Sequence, residues 1–286
     1  MINLVLIGVG LIGGSLALDL KRRKLVDEVV GIDIDADNLA RALERKVIDR
    51  AATCIDIDSV GQANLVVIAT PVGSLPGICR QLEPVLPPNV IISDVGSTKQ
   101  LALAAYAEWL PQHYRRCVAA HPIAGSDRHG ALAAQFGLFE HKKCIVCTHE
   151  QQDAESVAQV AALWAAVGAE IHYLTAPQHD AVFAAVSHLP HMLAYAYVHQ
   201  IAQSPNKDAL LHFAGSGFRD FTRIAGSHPA IWVDICLANR QPLLDLLQQQ
   251  QQELAYLQHC LQQADGPALF DFFEQAQAAR VQWQSQ

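Results

Sequence analysis

The sequence predicts an α/β domain built on a mainly parallel sheet, followed by an all-α domain. Up to about residue 174, short runs rich in Val and Ile alternate with helical stretches, a pattern typical of parallel strands that helices cover on both faces. Beyond that point only helical patterns remain. We therefore expect one domain over residues 1–174 and a second over residues 175–286.

The composition is that of a globular protein. The chain has 286 residues, of which 51% are hydrophobic and 17% charged, and this length accommodates two domains that each bury a core. We find no apolar run of the roughly 20 residues that span a bilayer. The first apolar run follows no basic segment and leads directly into a glycine turn, which argues against a signal peptide. We expect a soluble, cytoplasmic protein without a membrane partner.

Charge and cysteine content exclude further classes. The net charge of −8 makes general attraction to nucleic acid or anionic membranes unfavourable. The seven cysteines are an odd number without regular spacing, which favours reduced thiols in a reducing compartment. Cys144 and Cys147 form a CxxC, but "KKCIVCTH" is typical of a buried strand and no second cysteine pair accompanies it. We predict no metal site.

Seven segments predict the strands, because each is an apolar run bounded by turn residues or charges. In order they are "NLVLIGVG", "EVVGIDID", "ANLVVIATP", "NVIISDVG", "RCVAAHPI", "KKCIVCTH" and "AEIHYLT". In the helical C-terminal part, Leu247, Leu254 and Leu261 recur at intervals of seven, a spacing that suits packing between helices of two subunits. The glutamines 248–252 lie within this segment, and we interpret them as its solvated surface. We expect a homodimer that forms through the C-terminal helices.

The first predicted strand runs into a glycine fingerprint. Gly8, Gly10 and Gly13 are spaced as GxGxxG, directly after an apolar strand and directly before a helical pattern. Gly8 permits the tight turn, Gly10 lets the backbone approach a pyrophosphate, and Gly13 lets helix and strand pack closely. With Leu11 and Ile12, these residues open a helix whose N-terminus binds phosphates. The segment predicts a Rossmann-type dinucleotide site.

The second predicted strand supports the same interpretation. It ends at Asp33, 20 residues after Gly13, where a carboxylate binds the ribose hydroxyls of a dinucleotide. Ile34 and Asp35 follow, and no Arg is present there to bind a 2′-phosphate. We therefore expect NAD to be preferred over NADP.

Further candidates lie at the carboxyl ends of later strands, where ligands of such sheets bind. Thr70 and Pro71 in "ATPV" are candidates for the nicotinamide side, although plain turn residues would have the same pattern. Ser97 in "SDVGSTK" would offer a hydroxyl near the reacting centre. Oxidation of an alcohol requires a base, and His121 in "CVAAHPIAGSDRHG" is the candidate, with a structural turn histidine as the alternative. His129 lies in a polar run and is expected to be exposed.

Six motifs together resemble those of the prephenate/arogenate dehydrogenases of tyrosine biosynthesis. In order along the chain they are "GVGLIGGSLA", "ATPV", "DVGSTK", "HPIAGSDRHG", "HDAVFAAVSHLPH" and "GSGFRDFTRIAGSHPAIWVDI". The resemblance spans roughly residues 2–240. It implies oxidative decarboxylation of prephenate to 4-hydroxyphenylpyruvate, or of arogenate to tyrosine, with reduction of the nicotinamide. Loss of carbon dioxide makes the ring aromatic, so the chemistry needs no Lewis acid. We expect a stand-alone dehydrogenase without a fused mutase or regulatory domain.

The resemblance also implies roles for single residues. His121 matches the catalytic histidine that deprotonates the ring hydroxyl, and Ser97 matches the serine that shares a hydrogen bond with it. Arg223 matches the arginine that binds the substrate carboxylate, for which a bidentate guanidinium is well suited. Arg219 is the fallback and otherwise a surface or interface charge. Trp232 resembles a tryptophan near the substrate pocket, with core packing as an alternative role.

The segment "SHLPHMLAYAYVHQ" places three histidines in an apolar helical pattern. At 100° per residue, Asp180, Ser187 and His191 fall within about 40° of one another, with His188 roughly 60° to 80° to the side. Pro190 predicts a bend or a freed carbonyl. The resemblance implies that His191 binds substrate and that Asp180 pairs with Arg223 at the pocket mouth; the alternative for His191 is a hydrogen-bonded core histidine. His188 is either structural or in direct contact with ligand, and His199 is given no role.

Two other functions remain open at this stage. One is a β-hydroxyacid type of two-domain dehydrogenase, which usually depends on a lysine in the helical domain; here that domain has only Lys207, in a loop-like segment. The other is a nucleotide-binding protein without activity, which Ser97, His121, His191 and Arg223 argue against. The choice between prephenate and arogenate also stays open. A carboxylate near the substrate's side chain would favour arogenate, and Asp127 is a candidate.

Overall fold

The computed structural model describes residues 2–125 and 130–284. Within these ranges eight strands form one sheet in the order β3-β2-β1-β4-β5-β6-β7-β8. All neighbours are parallel except β6 and β7. The strands are β1 (Asn3–Ile7), β2 (Glu28–Ile32), β3 (Arg50–Ala52), β4 (Leu65–Ile68), β5 (Ile91–Asp94), β6 (Cys117–Pro122), β7 (Lys143–Cys147) and β8 (Glu170–Leu174).

Each of the seven predicted strand segments contains a strand, and the prediction of a mainly parallel sheet is confirmed. The addition is β3, an edge strand of three residues that begins with the exposed Arg50. It is too short and too exposed to give a pattern. Cys144 and Cys147 lie buried in β7, and burial raises the pKa of each thiol to about 12. Neither thiol is ionised at neutral pH, which fits the structural interpretation of the CxxC.

Helices cover both faces of the sheet, and alternate residues of β1 face different apolar layers. Leu4 and Leu6 pack in one layer, together with Trp164; Val5 and Ile7 pack in the other. The described helices are α1 (Leu11–Arg22), α2 (Ala36–Glu44), α3 (Ile57–Val60), α4 (Leu75–Leu82), α5 (Gln100–Trp109), α6 (Ala154–Ala166), α7 (Ala176–Phe183), α8 (Leu189–Ala202), α9 (Lys207–His212), α10 (Ser216–Thr222), α11 (Pro229–Ala238), α12 (Arg240–Gln262) and α13 (Gly266–Gln284).

A π-helix, Ala184–His188, joins α7 to α8. The resulting helical stretch, Ala176–Ala202, is long enough to cross a membrane and has a mean hydropathy of 1.2, which corrects the expectation that no segment passes this test. His179, Asp180 and His188 within it are fully buried. All three are hydrogen-bonded to residues outside the stretch. We therefore interpret it as a core helix.

The chain forms two compact units, Met1–Asn239 and Arg240–Gln286. In the second unit α12 and α13 pack together, with the rings of Tyr256 and Phe272 5.8 Å apart. The glutamines 248–252 lie within α12 and are mostly exposed, as expected for the solvated surface of a helix. A functional boundary between residues 174 and 175 stays a prediction.

Candidate active site

The glycine loop between β1 and α1 has two different kinds of glycine. Gly8 has a φ of +92°, and a Cβ there would lie 2.6 Å from the carbonyl oxygen of Ala69. A Cβ on Gly13 would lie 2.5 Å from the carbonyl oxygen of Gly8. A Cβ on Gly10 would meet no atom within 4 Å. Backbone packing therefore requires Gly8 and Gly13, whereas Gly10 leaves open space beside the helix terminus.

The N-terminus of α1 fits the pyrophosphate of a dinucleotide. The helix begins at Leu11, and the amide of Gly14 donates to the carbonyl of Gly10 (2.9 Å). The first-turn amides of Leu11, Ile12 and Gly13 have no carbonyl one turn before them in the helix. No acidic residue lies in this first turn. Amide groups and the helix dipole both favour an anion at such an end.

Asp33 directly follows β2 and is rigidly held. Its Oδ2 accepts from the Val9 amide (3.0 Å) and from Asn38 Nδ2 (3.2 Å), and its Oδ1 accepts from the Asp35 amide (3.0 Å). These bonds tie the carboxylate to the glycine loop. A carboxylate has about four lone-pair sites, so the two oxygens retain capacity to accept from ribose hydroxyls. The neighbouring Ile34 is 97% exposed.

The "ATPV" turn after β4 lies against the glycine loop. Cγ2 of Thr70 is 2.9 Å from the position that a Cβ on Gly8 would occupy. Ser74 Oγ donates to the carbonyl of the exposed Pro71 (2.7 Å) and lies 2.9 Å from Thr70 Oγ1, whose hydroxyl can donate to it. Thr70 is thus next to the predicted cofactor loop, and its hydroxyl already has a protein partner.

His121 lies at the carboxyl end of β6 and is partly exposed. Its Nδ1 is 2.9 Å from Nε2 of His179. Nδ1 of His179 is in turn 2.8 Å from Oδ1 of Asp180. His179 and Asp180 have no exposed surface, and the ring of Phe183 packs on both histidines.

Asp180 does not have the position that the sequence predicted. Its Oδ1 accepts from the Lys99 amide (2.8 Å) and its Oδ2 from the Gln100 amide (2.9 Å), at the start of α5. With His179 on Oδ1 as well, the carboxylate is fully engaged inside the protein. A buried carboxylate with these partners cannot form a gate with Arg223 at a pocket mouth, so that expectation is wrong.

A buried ion pair supports the same edge of the sheet. Nζ of Lys99 lies 2.5 Å from Oδ2 of Asp94 and 2.6 Å from the carbonyl of Ala120, next to His121. Tyr106 donates to the other carboxylate oxygen (3.1 Å). Ser97 is half-buried in the turn that leads to Lys99. Among the described residues, no hydrogen bond joins Ser97 to His121; His179 occupies the position on Nδ1.

The predicted alignment on the long helix is also wrong, because the π-helix changes the rotation between Asp180 and His191. Pro190 follows this irregular turn, in line with the predicted distortion. His188 is buried, and its Nδ1 accepts from Asn239 Nδ2 (3.1 Å), which also donates to the carbonyl of Asp180 (2.7 Å). His188 therefore has a structural position. His199 is exposed.

His191 and Trp232 form a stacked pair. Their ring centroids are 3.7 Å apart at 21°, and Nδ1 of His191 donates to the carbonyl of Ser187 (2.8 Å). Burial lowers the pKa of His191, the Ser187 carbonyl opposes this, and the charge of Arg223 lowers it further. Arg223 is exposed and close enough to act on His191.

The structure thus brings two predicted substrate contacts, His191 and Arg223, into one neighbourhood, with Trp232 behind His191. Arg219, the fallback, is also exposed, on α10. Asp127 and His129 lie outside the described residues.

Comparison with known proteins identifies the family. Residues 16–173 match the family model "Prephenate dehydrogenase, nucleotide-binding domain", and residues 175–275 match "Prephenate dehydrogenase, dimerization domain". The chain is 37% identical to the prephenate dehydrogenase of Bacillus subtilis, over 97% of this chain and 75% of that one. It belongs to the prephenate dehydrogenase family.

Solved structures agree with this assignment. The structure of prephenate dehydrogenase from A. aeolicus in complex with hydroxyphenyl propionate and NAD+ has a TM-score of 0.91 and 30% identity, over 99% of this chain and 98% of that one. Arogenate dehydrogenase from Synechocystis has a TM-score of 0.80 and 29% identity, over 98% of this chain and 99% of that one. This protein is thus a dinucleotide-dependent oxidoreductase that catalyses an oxidative decarboxylation in tyrosine biosynthesis. Membership of this family excludes the two alternatives, a β-hydroxyacid type of dehydrogenase and an inactive nucleotide-binding protein.

The electrostatics of the site keep its histidines neutral. Burial lowers the pKa of His121 well below its usual value, and the neighbouring His179, Lys99 and His188 act in the same direction. Burial also lowers the pKa of His179, although Asp180 opposes it, and it lowers the pKa of His188 to about 4. A neutral imidazole at the sheet edge can accept a proton at neutral pH.

Sequence reasoning missed His179, Lys99 and Asn239. His179 stands directly before Asp180 in "PQHD", and Lys99 ends the "DVGSTK" motif. A histidine beside an acid in a motif was an available signal for His179. Nothing in the local pattern around Asn239 indicates that its side chain bridges two turns of a distant helix.

Proposed function

We propose that this enzyme converts prephenate to 4-hydroxyphenylpyruvate, or arogenate to tyrosine, with NAD as the oxidant. Membership of the family supports the reaction. The observation that carries the proposal for this chain is His121, held at the carboxyl end of β6 with a lowered pKa and a bonded Nδ1. A neutral, fixed imidazole is what removal of the ring hydroxyl proton requires.

In the proposed reaction, Nε2 of His121 accepts the proton of the ring hydroxyl. A dinucleotide held by the glycine loop and Asp33 would supply the acceptor for the hydride of the ring carbon that carries this hydroxyl. The electron pair of the breaking bond to the carboxylate then completes the aromatic ring, carbon dioxide leaves, and the ring oxygen takes back the proton from Nε2 of His121. We assign the Ser97 hydroxyl, half-buried in the turn that leads to Lys99, to the substrate hydroxyl. The task of the protein is alignment, proton transfer and carboxylate binding.

Arg223 and His191 are the proposed substrate clamp. Arg223 offers a planar fork that suits a carboxylate. His191, whose Nδ1 donates to Ser187, leaves Nε2 for the substrate, and Trp232 fixes the ring by stacking. Asp180, by contrast, is assigned to the support of His121 and not to substrate contact.

We propose NAD over NADP because a 2′-phosphate would lie next to the Asp33 carboxylate, which is already held by Val9, Asp35 and Asn38. Gly8, Gly10, Leu11, Ile12 and Gly13 would hold the pyrophosphate, and Thr70 and Pro71 would line the nicotinamide side.

We also propose a cytoplasmic homodimer. The match to a dimerization domain supports self-association. In the unit Arg240–Gln286, large apolar side chains are exposed in the single chain, which favours burial against a second copy; they include Leu254, Leu261, Phe270, Phe273 and Trp283. Sedimentation of the purified protein at a mass twice 31.1 kDa is the expected result. A monomer at micromolar concentration would contradict it.

Initial rates test the function. NADH and NADPH formation are measured with prephenate and with arogenate, and the His121→Asn variant provides the background for each pair. We expect turnover with NAD and at least one of the substrates, and a slower reaction with NADP. If none of the four combinations exceeds the background, the proposed function is wrong. A faster reaction with NADP would overturn the role given to Asp33.

A further inference from the structure

Two fully buried residues, His179 and Asp180, stand behind His121. We propose that they form a positioning relay that fixes His121 in the tautomer with a proton on Nδ1 and a free lone pair on Nε2. The proposal rests on the proposed role of His121 as the base and deepens it, because it names the residues that prepare the base for its proton.

The relay starts at Asp180, which acts only as an acceptor. Burial raises the pKa of this carboxyl, but the hydrogen bonds from His179, Lys99 and Gln100 outweigh burial and hold it below its usual range. The two amides lie at the start of α5, where the helix dipole also favours a negative charge. Asp180 is therefore an ionised carboxylate that can accept hydrogen bonds and donate none.

The direction of each further bond follows from this charge. Because Asp180 accepts, Nδ1 of His179 must carry a proton across the 2.8 Å contact. His179 is neutral since burial lowers its pKa, so its Nε2 has a lone pair. That lone pair accepts from Nδ1 of His121 over 2.9 Å. A neutral His121 with its proton on Nδ1 has a free lone pair on Nε2.

The relay also acts on the transition state. When Nε2 of His121 takes the substrate proton, the imidazolium donates from Nδ1 to His179, which in turn donates to the Asp180 carboxylate. This stabilises the positive charge through two hydrogen bonds without a proton leaving His179. The other groups that act on His121 are Lys99, paired with Asp94, and His188, whose pKa is about 4. Neither Lys99 nor His188 supplies a negative charge, and the Asp94 carboxylate is paired with Lys99. Among the described residues, Asp180 is therefore the carboxylate that His179 connects to His121.

Two substitutions of His179 separate positioning from packing. His179→Leu removes the acceptor for His121, whereas His179→Gln can place its Oε1 near the former Nε2. We expect kcat of His179→Leu to fall on the order of 100-fold with KM changed by less than about threefold, because the support acts on proton transfer. The acid limb of its kcat/KM profile should move to lower pH, since the imidazolium loses its acceptor. His179→Gln should restore roughly tenfold of the loss in kcat.

The controls are the same two substitutions at His199, which is exposed on α8. We expect both to keep the wild-type kcat and acid limb. Equal kcat values for His179→Leu and the wild type would overturn the relay, and so would equal losses in His179→Leu and His179→Gln.

A direct measurement needs no substrate and no variant of His179. Proton–nitrogen correlation spectra of the ¹⁵N-histidine-labelled full-length wild-type enzyme report which ring nitrogen of His121 carries the proton, with the His121→Asn spectrum for assignment. A proton on Nδ1 supports the relay, and a proton on Nε2 overturns it even if His179→Leu does not fold. Lack of turnover in the wild type would instead reject the proposed function and leave this result valid.

Discussion

The glycine loop of the dinucleotide site and the helical stretch from α7 to α8 are built in different ways. In the loop, the backbone itself fixes the site, because Gly8 has a positive φ and Gly13 packs closely against the Gly8 carbonyl. In the helical stretch, a π-helix and buried side chains fix the site, with His179 and Asp180 directed to β6 and α5 and His191 to Trp232. The first kind of site follows from local spacing, and the second depends on contacts with distant residues.

The largest expected effect tests where the chemistry lies. His121→Asn removes the proton acceptor at the end of β6, and we expect kcat to fall about 10³-fold with a small change in KM, since a base acts mainly in the transition state. Steady-state rates with the preferred substrate measure this. His172→Asn, at an exposed histidine of β8, is the matched control. A loss below about tenfold would show that the base lies elsewhere.

The buried His188 makes the helical stretch sensitive to acid. Its pKa is about 4 in the folded protein against about 6.5 when unfolded. The folded state therefore binds fewer protons, and its contribution is full above pH 6.5 and is lost as pH falls towards 4. We expect about 3 kcal/mol of the free energy of unfolding to disappear over this range on account of His188.

Denaturant unfolding of the wild type and of His188→Gln at several pH values measures this contribution. The variant should be less stable at neutral pH and should lose less stability on acidification. His199→Gln, at an exposed histidine, should follow the wild-type curve. Parallel curves for wild type and His188→Gln would refute the assignment.

The two kinds of glycine in the loop can be separated by the same substitution. Gly8→Ala puts a side chain at a residue whose φ is positive and brings its Cβ into a clash with the carbonyl of Ala69. We therefore expect a loss of about 2 kcal/mol or more in the free energy of unfolding. Gly10→Ala has open space and should keep its stability while NAD binding weakens. Unfolding curves and titration of NAD measure the two effects. Gly77→Ala, also in open space but within α4, should leave NAD binding unchanged and should not lower stability, because Ala favours a helix more than Gly does. Equal stability of Gly8→Ala and Gly10→Ala would contradict the distinction.

The next prediction concerns the helical part of the site and tests whether Arg223 binds the substrate carboxylate. Arg223→Ala should raise KM roughly thirtyfold, or about 2 kcal/mol, because a charged hydrogen-bond donor to the substrate carboxylate is lost. Arg219→Ala, at the exposed neighbour on α10, should leave KM unchanged. An unchanged KM in Arg223→Ala together with a raised KM in Arg219→Ala would move the clamp to Arg219.

The smallest effect concerns the ribose. Asp33→Asn should weaken NAD binding about tenfold, since an amide accepts hydrogen bonds from the ribose hydroxyls less well than a carboxylate. Discrimination against NADP should decrease, because a charge that repels the 2′-phosphate is removed. Asp37→Asn, at an exposed acid in the first turn of α2, serves as the control. Titration of each variant with NAD and with NADP measures both effects, and unchanged binding of NAD in Asp33→Asn would show that Asp33 does not bind the ribose hydroxyls.

Much of the sheet could be predicted because its signals are local. Near-continuous Val and Ile runs gave seven of the strands, and the glycine spacing placed the cofactor loop. The edge strand Arg50–Ala52 was missed because three residues with partial exposure have no periodic pattern. The helical stretch was misjudged for a different reason. An ideal rotation of 100° per residue cannot describe a π-helix, so Asp180 and His191 were placed on one face.

By itself, the sequence determined the alternation of strands and helices, the family and the identity of His121 as the candidate base, because these depend on residue type and spacing. The tertiary structure decided that Asp180 binds the start of α5 and that His179 stands between it and His121. It also decided that Trp232 packs on His191 and that Asn239 supports His188. These pairings join residues far apart in the chain, and their bonds form only once the sheet and the helices bring the side chains together in a buried space.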